Sequence, residues 1–196
     1  MNRRRLLSLL LLFIAISVNA QQLYRCDEKK TYWALERDSV CFSVTINGEA
    51  EPFPGQPKLV VIDKTNVLQY VINPIAPYME GLEPADSATF KPIIAYAQSE
   101  AGYMSEQYHT QLQLHMENAS VGNKKILLWY YDSPASAGGN AKAQLYATII
   151  IGDRIVGLGT TQFEGQSFEQ VKKVLLDATS TLEKVKGKAD FARLCK

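Results

Sequence analysis

Two apolar runs, Ala143–Ile151 and Arg154–Phe163, flank the dipeptide Gly152-Asp153, and a segment with helical periodicity follows them. No other feature of the chain constrains its fold as tightly. Glycine at the first position of a two-residue turn accepts the positive φ of a type II′ hairpin, whose twist matches that of the strands it joins. The turn then fixes the register. Ile150 faces Ile155, Ile149 faces Val156, Ala147 faces Leu158 and Tyr146 faces Gly159. Alternation along each strand puts Leu145, Ala147, Ile149, Val156 and Leu158 on one face, the expected buried side. The other face carries Tyr146, Thr148, Gly157 and Gly159. Ser167-Phe168-Glu169-Gln170 has the pattern of a capping box. Phe168, Val171, Val174, Leu175, Ala178, Leu182 and Val185 recur at helical spacing, and Gly187 supplies a left-handed stop. This helix is expected to lie across the apolar face of the hairpin. Each large side chain buried there contributes about 1.5–3 kcal/mol, and Asp in place of Val174 is expected to unfold the domain.

The remainder reads as strands with one helix among them. Thr31–Leu35 and Val40–Ile46 are predicted strands, the second half-buried, with Val40, Phe42, Val44 and Ile46 inward. Glu51–Pro57, with three prolines, is a predicted loop, and Lys58–Ile62 with Val67–Ile72 a hairpin. After an irregular crossing, Asp86 or Ser87 could cap a helix running to about Met104, with Ile93, Ile94, Ala97, Ala101 and Met104 on its apolar face. Tyr108–Met116 alternates at period two and reads as a strand with His109, Gln111, Gln113 and His115 outward. Lys125–Tyr131 is a strongly apolar strand, and Asp132–Asn140 a loop of small residues. The order predicts an α+β fold, an antiparallel sheet packed against a middle helix and a C-terminal helix.

The first twenty residues set the compartment. Arg3, Arg4 and Arg5 precede an apolar run over Leu6–Val18, and Val18-Asn19-Ala20 places small residues before a cut. That is a secretory signal peptide, and the run is shorter than the roughly 20 residues of a spanning helix. Residues 21–196 are expected to form one domain, with 188–196 as a tail that docks through Phe191 and Leu194. The expected location is periplasmic or secreted. The chain carries 21 Lys and Arg against 20 Asp and Glu, and three of the arginines lie in the leader, so the mature charge is slightly acidic. With no basic stripe, nucleic acid is not an expected partner.

Cys26, Cys41 and Cys195 are the three cysteines, and export favours a disulfide between two of them. A Cys26–Cys41 bridge would close a loop of about 15 residues, contributing about 3 kcal/mol, and is the first expectation. Cys26–Cys195 would tie the two ends of the domain, and Cys41–Cys195 is the third pairing.

The strand Lys125–Tyr131, the loop, the hairpin and the helix expected over Ser167–Lys186 together resemble the C-terminal half of the Mog1/PsbP-like fold. The resemblance rests on element order. It implies a binding, assembly or accessory protein rather than an enzyme, and it assigns no functional residue.

Catalytic patterns are not evident. There is no G-x-S-x-G, H-E-x-x-H or C-x-x-C motif and no phosphate loop, and no cofactor is expected. On a common strand, His109 and His115 would stand roughly 20 Å apart, too far to share a metal ion. Trp129 and Tyr131 share one strand face, and Tyr146 faces Gly159. The plain reading is core packing, with the tyrosine ring covering a bare glycine. The functional reading is a shallow groove at Gly157 and Gly159, walled by Tyr146 and Trp129, that admits a ligand or another backbone. The expected function is therefore an exported, non-catalytic protein that binds a protein partner or a small ligand through this sheet face. The alternatives are an enzyme whose residues are scattered and a structural envelope component.

Overall fold

The computed structural model describes residues 22–27 and 29–194, and the expected signal peptide, residues 1–20, lies outside them. The C-terminal hairpin forms as its turn dictates. Strands β9 (Ala141–Ile151) and β10 (Arg154–Phe163) pair with Ile150 opposite Ile155, Ala147 opposite Leu158 and Tyr146 opposite Gly159. Gly152 holds φ at +64°, while Asp153 is not among the positive-φ residues, as a type II′ turn requires.

The hairpin is the centre of a seven-stranded antiparallel sheet. Its remaining strands are β4 (Ala50–Pro52), β5 (Leu59–Ile62), β6 (Asn66–Pro74), β7 (His115–Val121) and β8 (Lys124–Asp132), in the order β4-β5-β6-β10-β9-β8-β7. A second antiparallel sheet has the order β1-β2-β3-β11, from β1 (Gln22–Arg25), β2 (Lys30–Arg37), β3 (Val40–Asn47) and β11 (Glu183–Val185). Helices α1 (Lys91–Tyr108), α2 (Phe168–Ser180) and α3 (Lys188–Leu194) complete an α+β fold.

Each face of the large sheet buries its own cluster. On one face Leu145, Ala147, Val156 and Leu158 meet Val171, Leu175 and Ala178 of α2 and Trp33, Phe42 and Val44 of the small sheet. On the other, Leu127, Trp129, Tyr131 and Ile155 meet Ile93, Tyr96 and Ala97 of α1. Covered on both faces, β8 reads as a continuous apolar run rather than an alternating one. The outer face of the small sheet is closed by α3, where Phe191 is fully buried against Tyr32, Ala34 and Cys41. Strand β3 is thus buried on both faces, not half-buried as its alternation predicts, because the tail docks as a helix.

Several expectations are corrected. The expected helix over Ser167–Lys186 ends at Ser180, and Glu183–Val185 instead adds an edge strand to β3. Thr181 makes the switch: its hydroxyl accepts from Thr45 N–H at 2.9 Å and lies 2.7 Å from Ala178 O, stitching the helix end to β3. Ser167 occupies the N-cap in extended conformation, but its side chain makes no capping bond. The predicted cap residues Asp86 and Ser87 lie in a 3-10 turn over Pro84–Ala88, and α1 begins only after Phe90. The strand expected over Tyr108–Met116 is not formed. Helix α1 runs to Tyr108, His109 takes a left-handed C-cap at φ +51°, and β7 starts at His115. The alternation there has another cause. Leu112 is pinned under α1, where its N–H donates to Ser105 Oγ at 3.1 Å. Finally, the edge strand Ala50–Pro52 takes in the first two residues of the predicted loop Glu51–Pro57, a place where proline is tolerated.

The cysteines also depart from expectation. Cys41 is a buried thiol rather than half of a disulfide, so the Cys26–Cys41 bridge is not formed. Cys41 lies inside β3 beneath α3, whereas Cys26 follows β1 and packs at the margin of the same cluster. Cys195, the partner in the other two expected pairings, lies outside the described residues.

Candidate functional site

Tyr146, Trp129, Gly157 and Gly159 come together on the sheet face beneath α1, but they do not form an open surface. Trp129 is 1% exposed, its Nε1–H donates to Thr148 Oγ1 at 2.8 Å, and its ring stacks on Tyr146 at 4.1 Å and 13°. Tyr96 of α1 meets Trp129 edge-on at 6.0 Å. A Cβ on Gly159 would lie 2.7 Å from two Tyr146 ring carbons and 2.9 Å from Gln69 Nε2. The space above the glycine is therefore filled by the tyrosine ring. The expected groove is replaced by packing, and the small residue is needed so that the ring can lie flat.

The same layer holds a polar network. Gln69 Nε2 donates to the Tyr146 hydroxyl at 3.2 Å, and the Tyr131 ring lies tilted beside that of Tyr146, 6.4 Å between centroids. Burial pushes the Tyr146 phenol up to about 12 and raises those of Tyr96 and Tyr131 as well. The negative charge of Glu100, on α1, adds to the rise at Tyr78, Tyr96, Tyr131 and Tyr146. Glu100 itself has its carboxyl raised by burial. A carboxyl with a folded-state pKa above its unfolded value opposes folding once ionised. Its penalty is absent well below the carboxylate range and sets in as pH rises through that range. Glu100→Gln should therefore raise the melting temperature by about a degree or two near pH 8, with the half-exposed position keeping the gain small. The gain should vanish near about pH 3.5, which melts at both pH values would check.

The two histidines lie apart from this network. His109 is exposed at the end of α1, and His115 stacks on Tyr130 at 4.9 Å. Among the described residues, no group of three or more His, Cys, Asp or Glu is placed to hold a metal ion. Among them, too, no helix is long and apolar enough to cross a membrane.

A second region was not anticipated. The β8–β9 ladder runs from Asp132 opposite Ala143 to Leu127 opposite Thr148 and stops there. Both strands continue, β8 back to Lys124 and β9 on to Ile151. The same register would set Ile126 against Ile149, Lys125 against Ile150 and Lys124 against Ile151, and none of these pairs forms. Two neighbouring strands therefore part, and a cleft of about 790 Å³ opens between their ends. Ile149, Ile150 and Ile151 line one side and Lys124 and Lys125 the other. Phe90 and Ile93 at the start of α1 form one wall, and Leu182, Glu183 and Lys184 after α2 form another. Lys124 is tied to the carbonyl of Ser180, whereas Lys125 and Lys184 are exposed at the rim. The sequence carried a signal for this place. Three consecutive isoleucines break the alternation of β9, so both faces stay apolar up to the turn.

No family model matches the chain, and no curated protein matches it. Among solved structures, it is similar to the solution structure of cyanobacterial PsbP (CyanoP) from Synechocystis sp. PCC 6803, at a TM-score of 0.46 and 10% identity. That likeness covers 87% of this chain and 96% of the other.

Proposed function

We propose that this chain is an exported, non-catalytic binding protein, and that it takes its ligand or partner in the cleft between the parted ends of β8 and β9. The observation that supports this reading is the interrupted ladder. Strands that close elsewhere separate here over three residue positions, leaving a cavity in which apolar side chains meet an almost equal share of polar and charged groups, in the size range of a ligand site. Export rests on the leader sequence. The Tyr146 layer serves instead as the packing that holds α1 on the sheet.

The test is a capture experiment with the exported protein on extracts of its own envelope and medium. Ile150→Trp places an indole in the cleft and should abolish capture while the protein still melts cooperatively. Tyr146→Phe removes the hydroxyl beneath α1 and should leave capture unchanged. The opposite pattern would return the site to the Tyr146 face.

A further inference from the structure

The cleft combines two chemistries in one opening. Its apolar lining comes from Ile149, Ile150, Ile151, Phe90, Ile93 and Leu182. Its polar rim carries Lys124, Lys125 and Lys184 against the single carboxylate of Glu183. An occupant that satisfies both has an extended apolar body and one anionic end. Lysine presents a compact charge on a flexible stem and suits a small anion without demanding bidentate geometry. The volume falls within the range of small-molecule sites, roughly 300–1,000 Å³. A peptide added as a strand fits less well. The unzipped edges, Lys124–Ile126 and Ile149–Ile151, are three residues long, against the five or six of a usual strand.

From this, and resting on the cleft reading above, we infer that the occupant is a single-chain amphiphilic anion, a long-chain carboxylate with its tail among the isoleucines and its head at Lys125 and Lys184. Tail burial and head charge then contribute separately. Each methylene removed from the tail weakens binding about fourfold, and loss of the head charge weakens it without altering the tail's contact.

The experiment is calorimetric titration of the purified full chain with dodecanoate, octanoate and dodecanol. Dodecanoate should bind saturably at one site, with octanoate and dodecanol each at least about tenfold weaker. The double substitution Lys125→Glu with Lys184→Glu should lower dodecanoate affinity at least about tenfold and leave dodecanol unchanged. Ile150→Trp should abolish both, and melts of each variant establish that it is folded. Absence of saturable dodecanoate binding to the wild type overturns the inference, as do equal affinities for dodecanoate and dodecanol. Binding to phosphatidylglycerol vesicles without binding of free dodecanoate overturns it too, in favour of a membrane surface. If dodecanoate fails to bind but Ile150→Trp still blocks capture of a partner, the cleft stands as the site and only the ligand class falls. If Ile150→Trp changes neither, both readings fall.

Discussion

Gly159→Val should lower the thermal midpoint by about 6–12 °C, corresponding to about 3 kcal/mol in a domain of this size. Valine's Cβ has nowhere to go. It would stand 2.7 Å from the Tyr146 ring, with the Gln69 amide 2.9 Å away. The ring must tilt or leave, and either motion breaks its stack on Trp129 and its hydrogen bond to Gln69. Because Trp129 is one of two tryptophans, the native emission spectrum should shift along with the melt. Tyr146→Ala in the Gly159→Val background should recover part of the loss, since the two substitutions act on one contact and do not add. A Gly159→Val protein melting within about two degrees of wild type would mean that the ring moves aside at little cost.

Leu175→Asp should yield no folded protein. Leu175 is completely buried in α2, within the cluster that joins the two sheets. An ionised carboxylate there has no partner and no water, and burying such a charge costs more than a domain's whole margin of stability. Leu175→Ala gives the graded version, a loss of about 2–5 kcal/mol from the cavity it leaves. Val174, the neighbour that periodicity alone marks as equally central, is only half-buried. Val174→Asp should therefore be milder, giving a folded protein with a lowered midpoint. Circular dichroism and solubility of the three variants would check the order; a cooperatively melting Leu175→Asp protein would displace α2 from the centre of the fold.

What was legible in the sequence was local. A two-residue turn sets the register of its hairpin through backbone geometry alone, so the pairing of Ile150 with Ile155 or Tyr146 with Gly159 follows from Gly152-Asp153 without knowledge of the rest. Elements decided by contacts outside their own pattern were not legible. Leu112 looks like an inward strand residue because it is apolar at an alternating position, yet it is held by Ser105 on the helix before it. The end of α2 is set by Thr181 meeting Thr45, 136 residues away. The aromatic layer shows both effects. Tyr146 and Gly159 could be placed together from register, but only α1 lying above them and Trp129 decides that they form a core and not a surface. The cleft was hidden for the same reason, since a ladder that stops short leaves its residues with ordinary strand composition. Only the run Ile149-Ile150-Ile151 marks the place.

Tyr24 in the first strand stacks face to face on Phe191 in the last helix, at 4.9 Å and 8°, although they stand 167 residues apart (191 minus 24). Strand β11 likewise completes the sheet that β1, β2 and β3 begin. A ribosome delivers the first three strands long before it delivers their fourth partner or their cover. Until then the outer face of that sheet, with Tyr32, Ala34 and Cys41, has nothing to lie against. A product stalled short of Phe191 therefore leaves that face open, a substrate for proteases rather than a shortened version of the same protein.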